Sequence, residues 1–253
     1  NWSNPITKGL VHATEFTEGG GVPFDLVSKK QETVGNAPVW GSDIPGKVMV
    51  FNGAGTSGPY VNTGYSTSNT TKSFEILFNR YGDGGNGLGR LFDKRVAGVQ
   101  VEVCFVANTT PRKMELDVTY SGGQAGWQTL CPANNVPHHM IITLDSSNAS
   151  NDPIFYIDGV VSALTADTNT SGTLTTNTDA YVIANRANDS ARTLDGKVAY
   201  FRIWNRILTA NEVKSLFTNP WQIYSNPSFY RAVQSSAVVA AVRHMLGLLG
   251  VGS

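Results

Sequence analysis

The sequence predicts an all-β protein, an antiparallel β-sandwich of jelly-roll type that is completed by one short helix near its C-terminal end. Apolar and polar residues alternate along at least eight segments, and clusters of Gly, Asn, Asp, Pro and Thr divide these segments at fairly regular spacing. Two stacked antiparallel sheets accommodate so many strands while leaving few of their edges exposed. At 253 residues, one such sandwich followed by a tail accounts for the whole chain.

The strand predictions rest on side chains that point alternately to opposite faces of a sheet. In "KMELDVTY" the apolar residues point inward, while Glu115 and Asp117 point to the opposite face. The other predicted strands are "KVMVFNG", "SFEILFNRY", "VQVEVCFVA", "HHMIITLD", "PIFYIDG", "AYVIAN" and "KVAYFRIW". The last of these carries large apolar residues on both faces, which indicates a central strand that is covered on both sides.

The segment after that strand predicts a single helix. Thr209 is a good N-cap and Glu212 stands at the third helical position, so "TANE" forms a capping box. Val213, Leu216 and Phe217 share one face at helical spacing, and the following Asn-Pro pair ends the helix. We expect this helix to cover the second face of the last strand and to close a sheet edge or one end of the sandwich.

Composition excludes two classes of partner. Lys and Arg number 19, Asp and Glu also number 19, and no basic stripe is present, which argues against nucleic acid. No segment approaches the roughly 20 consecutive apolar residues of a membrane span. The two cysteines, Cys104 and Cys131, either pair with each other or remain partly buried free thiols, and the sequence leaves both alternatives open.

Several motifs occur in an order that resembles a known family. "GKVAYFRIWNRILTANEVKSLF" resembles a closing signature of strand and short helix, "VPHHMIITLD" with "PIFYIDGVV" resembles a paired hairpin, and "KVMVFNGAGTSGPYVNTG" resembles an early strand and its turn. In this order they resemble laminin-G-like, concanavalin A-like jelly-roll domains. The resemblance implies a sandwich domain over residues 1–222, followed by an extension over residues 223–253 for docking or oligomerisation.

The opening "NPITKGLV" and the closing "NPW" are most similar to copies of this domain in bacteriophage virion proteins. There such domains decorate capsids or sit on tail appendages and contact surface glycans. The resemblance therefore implies a non-enzymatic virion subunit, exposed on the outside of the particle. Two alternatives stay open: an extracellular carbohydrate-binding or adhesion module of a bacterial surface protein, and a jelly-roll glycan hydrolase.

The hydrolase alternative depends on "ELD", which resembles the "E-x-D-x-(x)-E" strand of one jelly-roll β-glucanase family. Glycoside hydrolysis needs a carboxylic acid that protonates the leaving group. That family's third carboxylate would stand at position 119 or 120, where this chain has Thr119 and Tyr120. We therefore expect a solvated strand face at Glu115 and Asp117 and no enzyme activity.

The glycine-rich loop "GDGGNGLG" is the best candidate for a calcium site. Asp83, Asn86 and backbone carbonyl groups supply the hard oxygen ligands that Ca²⁺ prefers. Related lectin-like sandwiches often hold calcium at a rim loop. The alternative is a flexible hairpin that binds nothing.

A glycan site needs an aromatic platform with amide or charged neighbours. Trp127, in the glycine-rich "GGQAGWQT", is the predicted platform on a rim loop, with Asn185 and Arg186 on a neighbouring loop. The alternative is that Trp127 folds back onto the core.

The tail predicts an amphipathic docking helix. In "SAVVAAVRHMLGLLGVGS" an apolar seam follows 4-3-4 spacing and two further residues widen it. We expect this seam to bind sister subunits or another virion protein, unless it packs against its own sandwich. The seam consists of Val238, Val242, Met245 and Leu249, widened by Val239 and Leu246.

Overall fold

The computed structural model of the chain describes residues 4–43, 46–96, 99–107, 109–176, 178–186 and 191–224, and the side chains at these positions except 95–96, 99–103, 105–107 and 166–167. Its helices are the α-helix α1 (Ala210–Thr218) and the 3₁₀ turns Pro5–Thr7, Gly85–Gly87 and Pro220–Tyr224. Its strands are β1 (Leu10–Glu15), β2 (Phe24–Asp25), β3 (Lys30–Gln31), β4 (Thr33–Gly35), β5 (Val39–Asp43), β6 (Gly46–Asn52), β7 (Tyr60–Asn62), β8 (Thr71–Arg80), β9 (Arg90–Val96), β10 (Val99–Ala107), β11 (Lys113–Tyr120), β12 (Gly123–Leu130), β13 (His138–Asp145), β14 (Ile154–Ile157), β15 (Val160–Ser162), β16 (Leu164–Thr168), β17 (Val182–Ile183) and β18 (Asp195–Trp204).

The described strands form two antiparallel sheets, which confirms the predicted all-β sandwich. The first sheet has ten strands in the order β15-β14-β13-β8-β18-β1-β2-β3, with β6 beside the start of β18 and β5 beside β6. The second has eight strands in the order β16-β12-β11-β10-β9-β17-β7-β4. Within the described residues no helix is long and apolar enough to cross a membrane.

Each side of the sandwich is closed by one stretch of chain that passes from sheet to sheet. On one side β15 ends the first sheet, and β16, one residue later, ends the second. On the other side β3 and β4 do the same, with Glu32 between them. The edge strands of the two sheets are therefore joined covalently in pairs.

The main core lies between the sheets and follows the predicted alternation. Met114, Leu116 and Val118 of β11 are fully buried there. Across the core, Phe74 of β8 in the first sheet stacks on Phe92 of β9 in the second sheet, with 4.5 Å between the ring centroids. Apolar burial of this kind contributes roughly 25 cal/mol per Å² of surface removed from water.

A β-bulge between Val198 and Tyr200 divides the central strand β18. Before the bulge Val198 points into the main core, although strict alternation predicts that it faces away from Phe201. After the bulge Phe201 also points into that core, while Ala199 and Tyr200 face the outside of the sheet. The predicted faces are therefore correct from Tyr200 onward and wrong at Val198 and Ala199, because the extra residue reverses the alternation.

Helix α1 begins with the predicted capping box. The Thr209 hydroxyl accepts a hydrogen bond from the backbone N–H of Glu212, and the Glu212 carboxylate accepts one from the backbone N–H of Thr209. Val213 and Leu216 are buried against the outer face of the first sheet, in a cluster that contains Trp204. The helix thus covers a sheet face, as predicted, rather than an edge or an end of the sandwich. Phe217, predicted on the buried side, is 43% exposed.

A buried ionic network lies between that sheet face and the closing segment. Arg202 Nε donates to Glu15 Oε1 at 2.6 Å, and Arg202 Nη1 donates to Glu75 Oε2 at 3.1 Å and to the carbonyl of Pro220 at 2.9 Å. His139 Nε2 lies 2.8 Å from Glu75 Oε1. Burial raises the pKa of Glu15 despite Arg202. Burial also acts to raise the pKa of Glu75, but the charge of Arg202 and the interactions with His139 together outweigh it, so the pKa of Glu75 is lowered.

Cys104 and Cys131 are free thiols. Cys104 is fully buried in the main core, and burial raises its pKa well above the ordinary value. Burial also raises the pKa of Cys131, to about 11. Of the two alternatives that the sequence leaves open, the structure has the unpaired one.

The predicted docking seam of the tail lies outside the described residues, which end at Tyr224. Its members are Val238, Val239, Val242, Met245, Leu246 and Leu249. Docking through this seam stays a prediction.

Candidate functional site

Two of the predicted rim residues meet at one end of the sandwich. The backbone carbonyl of Asn86 accepts a hydrogen bond from Arg192 Nη1 at 3.1 Å, and Asn185 Oδ1 accepts one from Arg192 N at 3.0 Å. Arg186 follows directly, half-buried, and its backbone N–H donates to the same Asn185 oxygen at 2.7 Å. The predicted calcium loop and the segment of Asn185 and Arg186 are therefore neighbours through Arg192, which the sequence did not predict, and protein groups occupy the polar atoms named.

Asn185 is a structural residue rather than a glycan ligand. Its side chain is fully buried, and Nδ2 contacts the carbonyls of Gly58 at 2.9 Å and Pro59 at 3.1 Å and the Thr193 hydroxyl at 2.8 Å. With Oδ1 already bound by two backbone N–H groups, no atom of this amide is left for a sugar. The assignment of Asn185 to the glycan site is corrected accordingly.

Trp127 is part of the core and not of a rim loop. It lies in strand β12, its ring is fully buried between the sheets, and its Nε1 donates to Asp152 Oδ1 at 2.9 Å. A sugar that stacks on an aromatic ring needs an exposed face of that ring, and Trp127 has none. The structure has the alternative that the sequence left open, and the platform assignment is corrected.

The predicted calcium ligands are held by other groups. Arg112 Nε donates to Asp83 Oδ1 at 2.7 Å, Arg112 Nη2 also contacts Asp83 Oδ2, and Arg80 Nη1 lies 3.7 Å away. Asn86, in a left-handed conformation with φ 52°, donates from Nδ2 to the carbonyl of Gly55. A cation here would have to displace a guanidinium group from Asp83, the one carboxylate among the predicted ligands, so these residues do not fit a calcium site as they stand. Calcium binding stays a prediction.

The "ELD" carboxyl groups contact each other over a glycine. A Cβ added to Gly126 would lie 2.9 Å from Asp117 Oδ1 and 3.4 Å from Glu115 Oε1. Asp117 is only 4% exposed, so the predicted solvated strand face is wrong at this position. Burial raises the pKa of Asp117 to about 8, and the adjacent charge of Glu115 adds to the effect. The pair is a buried carboxyl contact, not two carboxylates that flank an open groove.

An exposed aromatic ring stands at the end of β8 instead. Tyr81 follows Arg80, the last residue of the strand, and its backbone N–H donates to the carbonyl of Asp195 at 2.7 Å. The ring is 36% exposed, and the ammonium group of Lys197 lies 5.7 Å from its centroid. Tyr81 thus offers the aromatic surface that the sequence assigned to Trp127.

Three linked polar side chains lie on the outer face of the first sheet, and one of them, Lys197, is the neighbour of the Tyr81 ring. Lys197 Nζ lies 3.2 Å from Asp43 Oδ2, and Asn79 Nδ2 donates to the same carboxylate oxygen at 3.2 Å. A hydrogen bond to Tyr81 and the charge of Asp43 raise the pKa of Lys197, so it carries its charge at neutral pH. We call Asp43, Asn79, Tyr81 and Lys197 the Tyr81 site.

The Tyr81 site contains a small hollow with an unsatisfied acceptor. Asp43, Asn79 and Lys197 line a space of about 10 Å³ together with apolar residues that include Val48 and Leu77, and Tyr81 is not part of this lining. This volume is close to that of one water molecule or one hydroxyl group. Asn79 is 8% exposed and its Oδ1 has no hydrogen-bond partner. A buried acceptor without a partner is costly, so a donor that reached Oδ1 would be stabilised.

A family profile decides which fold family this sandwich represents. The profile described as the concanavalin A-like lectin/glucanases superfamily, of laminin-G type, matches residues 66–214, more than half of the chain. The chain belongs to this superfamily. The resemblance stated from the sequence motifs is confirmed at this level. No curated protein sequence matches the chain.

Several solved structures share the concanavalin A-like fold. The binding domain of Paraclostridial Mosquitocidal Protein 1 matches with a TM-score of 0.61 and 16% identity, over 84% of this chain and 52% of that one. The binding domain of Botulinum Neurotoxin DC, in complex with SialylT, matches with a TM-score of 0.62 and 10% identity, over 84% and 52%. Domain 4 of the arabinanase AbnA from Geobacillus stearothermophilus, in complex with arabinotriose, matches with a TM-score of 0.52 and 16% identity, over 82% and 97%.

These similarities show the fold alone, because all the identities are low. The chain spans about half the length of the two toxin binding domains and nearly all of the arabinanase domain. What this chain and these three structures share is the fold of the sandwich.

Proposed function

We propose that this chain is a non-catalytic carbohydrate-binding module and that the Tyr81 site holds the sugar. The observation that carries the proposal is the exposed Tyr81 ring beside Asn79, whose buried Oδ1 lacks a partner. A sugar ring presents C–H groups on a face and hydroxyl groups around its edge. The C–H face packs on the tyrosine ring while one hydroxyl group enters the hollow and donates to Asn79.

The charges at this site favour a neutral sugar. The Lys197 ammonium is already matched by the Asp43 carboxylate at 3.2 Å, so the pair adds no net charge. Both groups keep hydrogen-bonding capacity for hydroxyl groups, as donor and acceptor respectively. An acidic sugar would bring its carboxylate close to Asp43 and gain little from a cation that is already paired.

Two relatives with the same fold support a sugar-binding role. The neurotoxin binding domain is in complex with SialylT, and the arabinanase domain is in complex with arabinotriose. The second is a domain of this size that binds an oligosaccharide without being the whole enzyme. We extend only the ligand class to this chain.

The absence of catalysis is part of the proposal. Hydrolysis with retention requires two carboxyl groups about 5 Å apart on either side of the scissile bond. Glu115 and Asp117 instead contact each other over Gly126, and Asp117 is buried. Purified chain should therefore release no reducing sugar from the glycans that it binds.

A glycan array followed by calorimetry tests the sugar site. We expect Tyr81→Ala to weaken binding of the best array ligand about threefold to tenfold, because an aromatic contact contributes about 0.5–1.5 kcal/mol. Asn79→Leu should weaken binding of the same ligand more than Tyr81→Ala does, since it removes the acceptor inside the hollow.

Phe217→Ala is the matched control, because Phe217 is an aromatic residue of similar exposure, on helix α1 and outside the Tyr81 site. It should leave the affinity unchanged. Equal affinities of wild type and Tyr81→Ala, or no binding to any glycan of the array, would remove the basis of the proposal.

A finer role rests on the sequence resemblance alone. We propose that the module is a capsid decoration or tail appendage subunit on the exterior of a phage virion, attached to sister subunits or other virion proteins through the seam of its tail. Deleting residues 236–253 should then abolish assembly and leave the β-sheet circular dichroism intact. If the truncated chain still assembles, the tail is not the docking element, and an adhesion module of a bacterial surface protein becomes the better candidate.

A further inference from the structure

A shallow depression, largely open to solvent, lies where the beginning and the end of the described domain meet. Its walls are the 3₁₀ turn Pro5–Thr7, helix α1 and the 3₁₀ turn Pro220–Tyr224. Its volume is about 260 Å³, close to the lower end of small-molecule sites, which is roughly 300 Å³. We call it the terminal cleft. Its lining residues are Asn4, Pro5, Ile6, Asn211, Glu212, Ser215 and Gln222.

The walls of the terminal cleft are fixed by direct contacts. Asn4 Nδ2 donates to the carbonyl of Gln222 at 2.7 Å, and Asn4 Oδ1 accepts from Ile6 N at 3.1 Å. Trp204 Nε1 donates to the carbonyl of Ile6 at 2.9 Å. Ile6 and Leu216 are buried in the apolar cluster beneath. The cleft is thus preformed, which reduces the entropy that a ligand must overcome.

The polar groups of the cleft include one that lacks a partner. The Ser215 hydroxyl donates to Gln222 Oε1 at 3.0 Å, and Gln222 Nε2 is buried without a hydrogen-bond partner. If the side-chain amide of Gln222 were rotated by 180°, Nε2 would pair with the Ser215 hydroxyl and Oε1 would be the buried atom without a partner. In either orientation one polar atom of Gln222 is buried without a protein partner. A ligand that drew this side chain towards the cleft would satisfy that atom.

The cleft carries no unmatched charge. Its single carboxylate, Glu212, accepts hydrogen bonds from Arg206 Nη1 at 2.9 Å and Nη2 at 2.7 Å and from Thr209 N at 2.8 Å. The other polar residues of the lining, Asn4, Asn211, Ser215 and Gln222, are all neutral. Amide and hydroxyl groups recognise neutral hydroxyl groups and give no preference for an ion.

We infer that the terminal cleft binds a neutral, hydroxyl-rich molecule of about the size of one sugar residue, through Gln222, Ser215 and Asn211. This site is separate from the Tyr81 site. Lys197 lies near the start of β18, and the cleft lies beyond Trp204 at its end. Seven residues of extended strand at about 3.3 Å each place the two sites more than 20 Å apart. One branched glycan, or two chains of one surface, can therefore occupy both.

The test is an NMR titration of the full ¹⁵N-labelled chain with methyl α-glucoside, methyl β-galactoside and methyl α-arabinoside, each at millimolar concentration. At least one should shift the side-chain amide resonances of Gln222 and Asn211. Gln222→Leu should reduce the affinity about tenfold without lowering the melting temperature, because it also removes an unsatisfied polar group. Ser215→Ala, at an exposed position, should weaken binding less and guards against misfolding of the first variant.

Two controls separate this inference from the proposed function. Lys214→Ala, on the same helix but outside the lining, should leave the titration unchanged. Tyr81→Ala should also leave it unchanged, even if it abolishes binding at the Tyr81 site. The inference is overturned if none of the three glycosides shifts the two amide resonances, or if Gln222→Leu and Ser215→Ala both bind as the wild type does.

Discussion

Replacing Arg202 by Met should destabilise the domain more than any other exchange of a single charge that we can identify among the described residues. Arg202 is fully buried and lies 2.6 Å from Glu15 and 3.1 Å from Glu75. Removing one member of a buried ion pair costs about 3–5 kcal/mol, because the partner is left charged in a medium that solvates it poorly. Here two carboxylates lose the same partner. Total stabilities are only about 5–15 kcal/mol, so the effect should be large.

The loss of stability in Arg202→Met has an upper limit, because Glu15 and Glu75 can become neutral by binding protons. Burial already raises the pKa of Glu15, so this group neutralises readily once Arg202 is gone. Glu75 keeps a contact with His139 at 2.8 Å. In the wild type its pKa lies below the ordinary 4.5, so its charge stabilises the fold above that pH and loses this effect as the pH falls. The difference in the free energy of unfolding between Arg202→Met and the wild type should therefore become smaller as the pH falls towards 4.

Urea unfolding followed by circular dichroism at pH 7 and at pH 4 measures both statements. Arg206→Met is the matched control, because Arg206 binds Glu212 with two hydrogen bonds at a half-exposed position. Such pairs contribute about 0–1 kcal/mol. If Arg202→Met costs no more than Arg206→Met, or if its cost is the same at both pH values, the network does not stabilise the fold in the way described.

Three further outcomes are expected. Burial raises the pKa of Glu32 to about 8, so the folded state keeps a proton that the unfolded state releases near 4.5, and stability should fall as the pH rises between these values. Asp117, whose pKa burial also raises to about 8, contributes a second part of this fall; Glu32→Gln should therefore reduce the fall in melting temperature without abolishing it, and a pH profile parallel to that of the wild type would contradict the prediction. Thr209→Ala should cost about 1 kcal/mol in urea unfolding, because it removes the cap that the Glu212 N–H uses, and Thr209→Ser should restore most of it. Trp127→Ala should cost about 3–5 kcal/mol, because the ring fills the core and binds Asp152; a change within about 0.5 kcal/mol would indicate an exposed ring.

Much of the fold could be predicted because alternation and capping are local signals. "KMELDVTY" places its apolar side chains in the core as its pattern indicates, and the capping box at Thr209 forms as predicted. Strands β9 and β12 were missed for identifiable reasons. In β9 Leu91 and Phe92 stand side by side and interrupt the alternation, and in β12 Gly123 and Gly126 resemble a loop.

The candidate site was harder to predict because it depends on which faces of distant strands coincide. Trp127 and Asn185 have the residue types of a glycan site, but sheet pairing buries both. Tyr81 is marked in the sequence only by its place between a strand and a glycine-rich loop. Its neighbours Asp43 and Lys197 come from β5 and β18, and no spacing rule links these segments.

The hydrogen bond between Asn4 and the carbonyl of Gln222 spans 2.7 Å and brings two residues from opposite ends of the domain side by side. A short linker could therefore join these ends, and new ends could be opened in a surface turn, without stretching either sheet. Because its two ends are adjacent, the domain could also be inserted into a loop of an unrelated protein. Two neighbouring linkers would connect it there, and the backbone of the host protein would change little.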